Sequence, residues 1–221
     1  MKLAAPRRDI RVSPLEEVSF QAQTSDDFGL QSYGLAYTLA GQETKFVEIG
    51  KSAPATEKRQ LDYLLSLEDL EAEPDQLLTY YIWADDLGPD GKVRRTSGDM
   101  YFAEVRPFEE IFREGQQPSQ NEQANNQSSG NPSSQSEKLG ELQKQIINAT
   151  WKLKRRETGA KPSADFKKDA TVVQESQEKA LEQAREMRSQ AENPRLKPFI
   201  ETALKEMEKA LDSLTDATGK N

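Results

Sequence analysis

Residues 77–84 read Leu-Leu-Thr-Tyr-Tyr-Ile-Trp-Ala, the most apolar run in the chain. Turn-forming residues bound the run on both sides, at 73–75 (Glu-Pro-Asp) and at 88–91 (Gly-Pro-Asp-Gly). A short apolar run between turn signals is typical of a strand buried on both faces. A membrane span needs about 20 apolar residues. The run therefore predicts a central β-strand.

The segments around this run alternate apolar and polar residues with a period of two, which indicates half-buried strands. Together with the central run they predict about seven strands, which include 10–12, 18–22, 33–39, 46–49, 61–67 and 100–105. About 100 residues and seven short strands suit a β-sandwich. We therefore expect an all-β sandwich over 1–106. Residues 107–114 follow as a short amphipathic turn, whose Phe108, Ile111 and Phe112 would pack back on the sheet.

The composition changes abruptly at 115–136. These residues contain six Gln, four Asn and six Ser but only one charged residue, Glu122. Such a segment buries too little apolar surface to offset the entropy of ordering it. We expect a disordered linker, which contributes to the low mean hydropathy of −0.86 for the whole chain.

After the linker the apolar spacing becomes helical. Ser134 and Glu137 form a potential capping box. The 3-4 spacing of apolar residues predicts three helices over 137–221. Short connections favour an all-α antiparallel three-helix bundle or coiled coil. The seam residues expected to face inward are, in the first helix, Leu139, Leu142, Ile146, Ala149 and Leu153; in the second, Phe166, Ala170, Val173, Gln177, Ala180, Ala184, Met187 and Ala191; and in the third, Leu196, Ile200, Ala203, Met207, Ala210, Leu214 and Ala217.

The composition argues against most catalytic chemistry. The 221 residues include no His and no Cys, which excludes disulfides, Cys/His zinc sites, thiol nucleophiles and Ser-His-Asp triads. The 38 acidic residues offer many carboxylate pairs, but no pattern marks two of them as an acid and a base. We expect no enzyme and no resident cofactor. The net charge of −8 argues against nucleic-acid binding.

Asp-rich turns offer a possible calcium site. The carboxylates of Asp26, Asp27, Asp85, Asp86 and Asp90 fall near predicted strand ends, and calcium prefers six to eight oxygen ligands. The alternative is that these aspartates form Asx turns, in which the side chain accepts a hydrogen bond from the nearby backbone.

Two aromatic residues offer a possible ligand platform. Tyr81 and Trp83 share one face of the central strand. If this face is exposed, the two rings could stack on a glycan. The alternative is that both faces of the strand are buried.

Four stretches carry a family resemblance. Residues 25–37 (Ser-Asp-Asp-Phe-Gly-Leu … Tyr-Gly-Leu-Ala-Tyr) and 79–86 (Thr-Tyr-Tyr-Ile-Trp-Ala-Asp-Asp) resemble strands of bacterial Ig-like modules. With 101–110 and 142–150, their order is similar to that of large bacterial envelope proteins of the domain of unknown function 4175 family. The resemblance implies that the predicted sandwich over 1–106 is Ig-like. It also implies a membrane-anchored protein with a polar linker and long helices.

The expected function is therefore a non-catalytic structural or protein-interaction module of a larger cell-envelope protein. Its partners would be other proteins, or helical segments of the same larger protein. The alternative is a carbohydrate-binding module attached to an envelope enzyme. The chain shows neither a signal peptide nor a membrane-spanning segment. We expect it to be a segment of a longer protein, and the resemblance implies a periplasmic or cell-envelope location.

Overall fold

The computed structural model describes residues 1–88, 90–107, 132–157, 162–191 and 193–219. The chain divides into two compact units, Met1–Gln120 and Asn121–Asn221. The described part of the first is a β-unit, and that of the second is an α-unit. The strands are β1 (Lys2–Ala5), β2 (Ile10–Val12), β3 (Glu17–Thr24), β4 (Leu30–Leu39), β5 (Lys45–Ala53), β6 (Arg59–Ser66), β7 (Leu77–Leu87), β8 (Val93–Ser97) and β9 (Tyr101–Val105); the helices are α1 (Pro132–Arg156), α2 (Phe166–Gln190) and α3 (Lys197–Gly219).

The nine strands form two sheets. The smaller sheet has the order β1-β3-β6, and the larger has the order β2-β9-β7-β4-β5. The central strand is β7, as the sequence predicts: β4 pairs along one edge, and β9 and then β8 pair along the other. The pairing of β2 with β9 is parallel, and the other pairings are antiparallel.

One hydrophobic core lies between the two sheets. The alternate β3 residues Val18, Phe20 and Ala22 are buried in it, together with Tyr80 and its neighbours on the same face of β7. The rings of Phe20 and Tyr80 meet edge to face with centroids 4.8 Å apart, a favourable aromatic geometry. Burial raises the pKa of the Tyr80 hydroxyl, which donates a hydrogen bond to the Arg8 carbonyl oxygen at 3.4 Å.

The expected count of seven strands is too low by two. The four residues of β1 are too few to show alternation, and β8 (Val-Arg-Arg-Thr-Ser) is almost entirely exposed. A polar strand of this kind has no apolar face to reveal it in the sequence.

The helical part begins earlier than expected. Since α1 starts at Pro132, residues 132–136 belong to a helix rather than to the linker, and Ser134 lies within the helix instead of capping it. The rest of the predicted linker (115–131) and the apolar residues of the predicted 107–114 turn lie outside the described residues. None of the described helices is long and apolar enough to span a membrane.

The predicted seam is confirmed over the middle of α2. The buried residues there are Ala170, Val173, Gln177, Ala180, Leu181 and Ala184, of which only Leu181 was not expected. The three other predicted seam residues, Phe166, Met187 and Ala191, are half-buried. The predicted seam of α1 holds at Ile146 and Leu153, which are buried, but Ala149 is exposed.

The seam predicted for α3 is only partly correct, because the alanines expected to face inward are exposed. Met207 is buried as expected, but the second buried residue is Leu204, and Ala203, Ala210 and Ala217 are exposed. Ile200, Leu211 and Leu214 complete the inward stripe as half-buried residues. The two candidate stripes share Ile200, Met207 and Leu214, so spacing alone could not separate them. The stripe that contains Leu204 and Leu211 is the one that packs inward, because burying leucines removes more apolar area from water than burying alanines.

A buried amide connects the three helices. Gln177 is 1% exposed. Its Nε2 donates a hydrogen bond to the Met207 carbonyl oxygen at 3.1 Å, and its Oε1 accepts one from Gln143 Nε2 at 3.3 Å. A satisfied polar group in an apolar seam fixes the register of the helices, since any shift would leave it unpaired.

Replacing this amide should destabilise the α-unit. For Gln177→Ala we expect a loss of about 2 kcal/mol in the free energy of unfolding, because the substitution removes two hydrogen bonds and leaves a small cavity. Urea unfolding followed by circular dichroism at 222 nm measures this loss. Gln183→Ala, at an exposed position of the same helix, is the matched control. Equal unfolding midpoints for the two variants would contradict the role of Gln177.

Candidate functional site

The residues predicted for a glycan platform are buried. Trp83 is 2% exposed and Tyr81 is 8% exposed. Both lie on the face of β7 opposite the hydrophobic core. The exposed platform that the carbohydrate-binding hypothesis requires is therefore absent at these two rings, and the alternative of a strand buried on both faces is correct.

Trp83 is covered by a cation and a second ring. The register of β8 places Arg95 opposite Asp85, two residues along β7 from Trp83. The Arg95 guanidinium carbon lies 4.2 Å from the centroid of the Trp83 ring and 4.7 Å from that of Phe46. Phe46, on β5, also meets Trp83 edge to face, with centroids 6.0 Å apart. We call Phe46, Trp83, Asp85 and Arg95 the outer-face cluster.

A glycine makes room for this cluster. Gly34 on β4 pairs with Trp83. A Cβ atom at Gly34 would lie 1.8 Å from the Val47 carbonyl oxygen and 3.1 Å from Cζ2 of Trp83. Any side chain there would force β5 or the indole to move, so the close approach of β4 and β5 below the Trp83 ring requires glycine.

Asp85 anchors the arginine. Arg95 Nε lies 2.7 Å from Asp85 Oδ1, and Nη2 lies 2.8 Å from Oδ2, which forms a bidentate pair. Ser32 Oγ donates to Oδ2 at 3.2 Å. The hydrogen bonds from Arg95 lower the pKa of Asp85, with burial acting in the opposite direction. The carboxylate therefore stays ionised and holds the guanidinium over the two rings.

Of the other four candidate calcium ligands, three form ion pairs or hydrogen bonds within the protein and one is exposed. Asp86 forms an ion pair with Arg94. Asp26 Oδ2 accepts the Phe28 backbone N–H at 2.8 Å, and Asp90 Oδ1 accepts that of Lys92 at 3.2 Å, as Asx turns do. Asp27 is exposed. Across the described part of the chain, no three acidic residues are grouped to hold a metal ion. Calcium binding by these five residues stays an untested prediction.

Phe46 and Arg95 are candidate functional-site residues that the sequence pattern does not predict. Only a partial signal for Arg95 is present: a turn at 88–91 makes β7 and β8 a hairpin, but counting outward from the turn pairs Asp85 with Arg94, one residue short of the Asp85–Arg95 pair in the structure. No comparable signal pairs Phe46 with Trp83, because their strands are separated by β4 in the sheet.

The α-unit contains a second candidate site, an apolar groove. Its volume is about 490 Å³, and residues of all three helices line it, among them Leu139, Gly140, Met187, Ile200 and Ala203. Phe199 also lines the groove and is 75% exposed. The groove adjoins the exposed alanine side of α3. The helices therefore leave apolar surface uncovered at this end of the α-unit.

No known family model matches the chain, and no curated protein matches it significantly. The similarity to the domain of unknown function 4175 family therefore rests only on the motifs at 25–37, 79–86, 101–110 and 142–150.

The Asp85–Arg95 pair should contribute stability that depends on pH. The folded-state pKa of Asp85 is lowered, so its stabilisation is present above the unfolded-state pKa of about 3.9 and is lost as the pH falls through the folded-state value. At pH 7 we expect Asp85→Asn to cost about 2 kcal/mol, a value that takes account of the 42% exposure of the Arg95 side chain. The difference between wild type and variant should shrink below about pH 4.

Urea titrations between pH 3 and pH 7 measure this difference, with Asp62→Asn, an exposed strand position, as the control. A difference for Asp85→Asn that stays constant over the whole range would show that the charge of Asp85 is not what stabilises the fold.

Removing the arginine should expose Trp83. In a Trp151→Phe background, which leaves Trp83 as the single tryptophan, we expect Arg95→Ala to shift the fluorescence emission to longer wavelength and to increase acrylamide quenching. Arg94→Ala should leave both unchanged, because Arg94 pairs with Asp86 rather than covering the indole. Identical spectra for the two variants would argue that other groups shield Trp83.

Proposed function

We propose that this protein is a non-catalytic protein-interaction module of a larger bacterial cell-envelope protein, and that its α-unit binds a helix. The bound helix would come from a partner protein or from another segment of the same larger protein. The observation that carries the proposal is the exposed apolar side of α3, formed by Phe199, Ala203, Ala210 and Ala217 beside the groove.

The apolar surface of α3 is wider than the part that α1 and α2 cover. Leu204 and Met207 are buried, whereas the alanines at 203, 210 and 217 recur every seven residues along an exposed stripe. A seven-residue repeat of small residues can form the seam for a further helix, because small side chains allow close approach of the two backbones. The open groove lined by Gly140 and Ala203 would receive the larger side chains of that helix.

We infer that the β-unit is an Ig-like sandwich. Two sheets around a common core, antiparallel except for the β2–β9 pairing, with β4, β7 and β9 adjacent in the order of strands C, F and G, support this assignment. The 3-4 spacing of the buried α2 residues supports a coiled-coil type of packing in the α-unit. The envelope location is supported by the family resemblance alone.

A pair of neighbouring substitutions tests the helix-binding proposal. Ala203→Arg places a long charged side chain in the groove, whereas Thr202→Arg places one at an exposed position of α3 that does not line the groove. From envelope extract of the source bacterium, we expect wild type and Thr202→Arg to retain the same helical partner and Ala203→Arg to lose it. Mass spectrometry of the retained proteins measures this.

Circular dichroism of both variants provides the folding control. Equal retention by Ala203→Arg and Thr202→Arg would refute the groove as the binding site. Failure of wild type to retain any partner would refute the interaction function itself.

A further inference from the structure

Phe28 is an exposed aromatic residue at a turn of the β-unit. It lies between β3 and β4 and is 82% exposed, the largest exposed fraction among the described large apolar residues. Burying a phenylalanine side chain gains about 1.5–3 kcal/mol. Because Phe28 is exposed, its side chain contributes almost none of this free energy to the stability of the fold.

The turn holds Phe28 in a fixed position. Asp26 Oδ2 accepts the Phe28 N–H at 2.8 Å, and the Asp26 carbonyl oxygen accepts the N–H of Thr56 at 2.7 Å. Gly29 follows with φ +97°, where a Cβ atom would lie 2.8 Å from the Ala53 carbonyl oxygen. The turn is thus tied to the β5–β6 connection. Binding through Phe28 would therefore cost little further ordering of the chain.

The charges around Phe28 select among possible partners. Asp26 and Asp27 precede it directly and form its acidic collar. In the connection that contacts the turn, Glu57 pairs with Arg59 at 3.1 Å and Lys58 adds a positive charge, so the negative charge beside Phe28 comes from the two aspartates. Anionic lipids and nucleic acids would be repelled by this acidic collar. Two copies of the chain that met through this turn would place like charges opposite each other.

We propose that Phe28 and its acidic collar form a docking site for a partner protein, and that the partner presents an apolar pocket rimmed by Lys or Arg. Phe28 fills the pocket, and Asp26 and Asp27 pair with the basic rim. An aromatic anchor surrounded by polar groups is the usual arrangement of an interface hot spot. This site is separate from the helix-binding groove and does not depend on it.

Photocrosslinking in the cell identifies the partner surface. The full chain carries benzoylphenylalanine in place of Phe28 or, as a control, in place of Leu15, which is 65% exposed elsewhere on the β-unit. We expect position 28 to crosslink to one protein, at an apolar site flanked by Lys or Arg in sequence or structure. Crosslinks to lipid, to a second copy of the chain or to a site without basic residues would overturn the proposal. A yield at position 28 no higher than at position 15 would do the same.

Binding of the purified partner then tests the two contributions separately. We expect Phe28→Ser to weaken the affinity at least about tenfold, whereas Leu15→Ser leaves it unchanged. Asp27→Lys should weaken it by about fivefold, and the wild-type affinity should fall as salt is added. Equal affinities of Phe28→Ser and Leu15→Ser would refute the anchor. An affinity independent of both salt and Asp27→Lys would refute the basic rim.

Co-sedimentation with vesicles of phosphatidylglycerol and phosphatidylethanolamine tests the lipid alternative directly. We expect no binding of the full chain. Binding that is lost with Phe28→Ser would assign the turn to a membrane surface and overturn the proposal.

Discussion

The β-unit depends on the burial of both faces of β7. One face lies in the core, where Tyr80 meets Phe20 from the other sheet. The other face carries Trp83, which is equally buried although it does not belong to that core. Part of its cover comes from the sheet itself, because Phe46 from β5 and Arg95 from β8 extend over the indole. Arginine suits this role, since its planar guanidinium can stack on a ring while its edge bonds a carboxylate.

This arrangement explains which parts of the β-unit the sequence could predict. The central strand and its alternating neighbours follow from the burial of one or both faces, which leaves a period of two or an unbroken apolar run. The burial of Trp83 cannot be predicted in this way. An aromatic residue on the outer face gives the same sequence pattern whether a bound glycan or an arginine side chain covers it. The residues that cover Trp83, namely Arg95 and Phe46, belong to strands without a clear alternation of buried and exposed residues. Arg95 lies on the polar, exposed β8, and Phe46 lies on β5, which is also largely exposed.

The α-unit shows the same limit in another form. The middle of the α2 seam was predictable because five of its six buried residues follow one stripe of 3-4 spacing. In α3, two stripes share Ile200, Met207 and Leu214, and only the packing shows that Leu204 lies inside and Ala203 outside. Helical spacing predicts that a helix has an apolar face, but it does not determine how many neighbouring helices pack against that face. The ambiguity in the sequence and the uncovered surface in the structure therefore have one origin, an apolar face wider than one seam.

The two proposed binding surfaces differ in physical character. The groove of the α-unit is lined largely by apolar residues, both large and small, so its affinity would come from shape and buried area. The turn at Phe28 combines one exposed ring with neighbouring carboxylates on a backbone held by hydrogen bonds. Charge steering accelerates association but is screened by salt, whereas apolar burial is much less sensitive to salt. Binding through the turn should therefore be faster and more salt-dependent, and binding through the groove slower to form and more tolerant of salt. A protein with both surfaces could keep one contact while it exchanges the other, which suits a structural module that joins parts of a larger assembly.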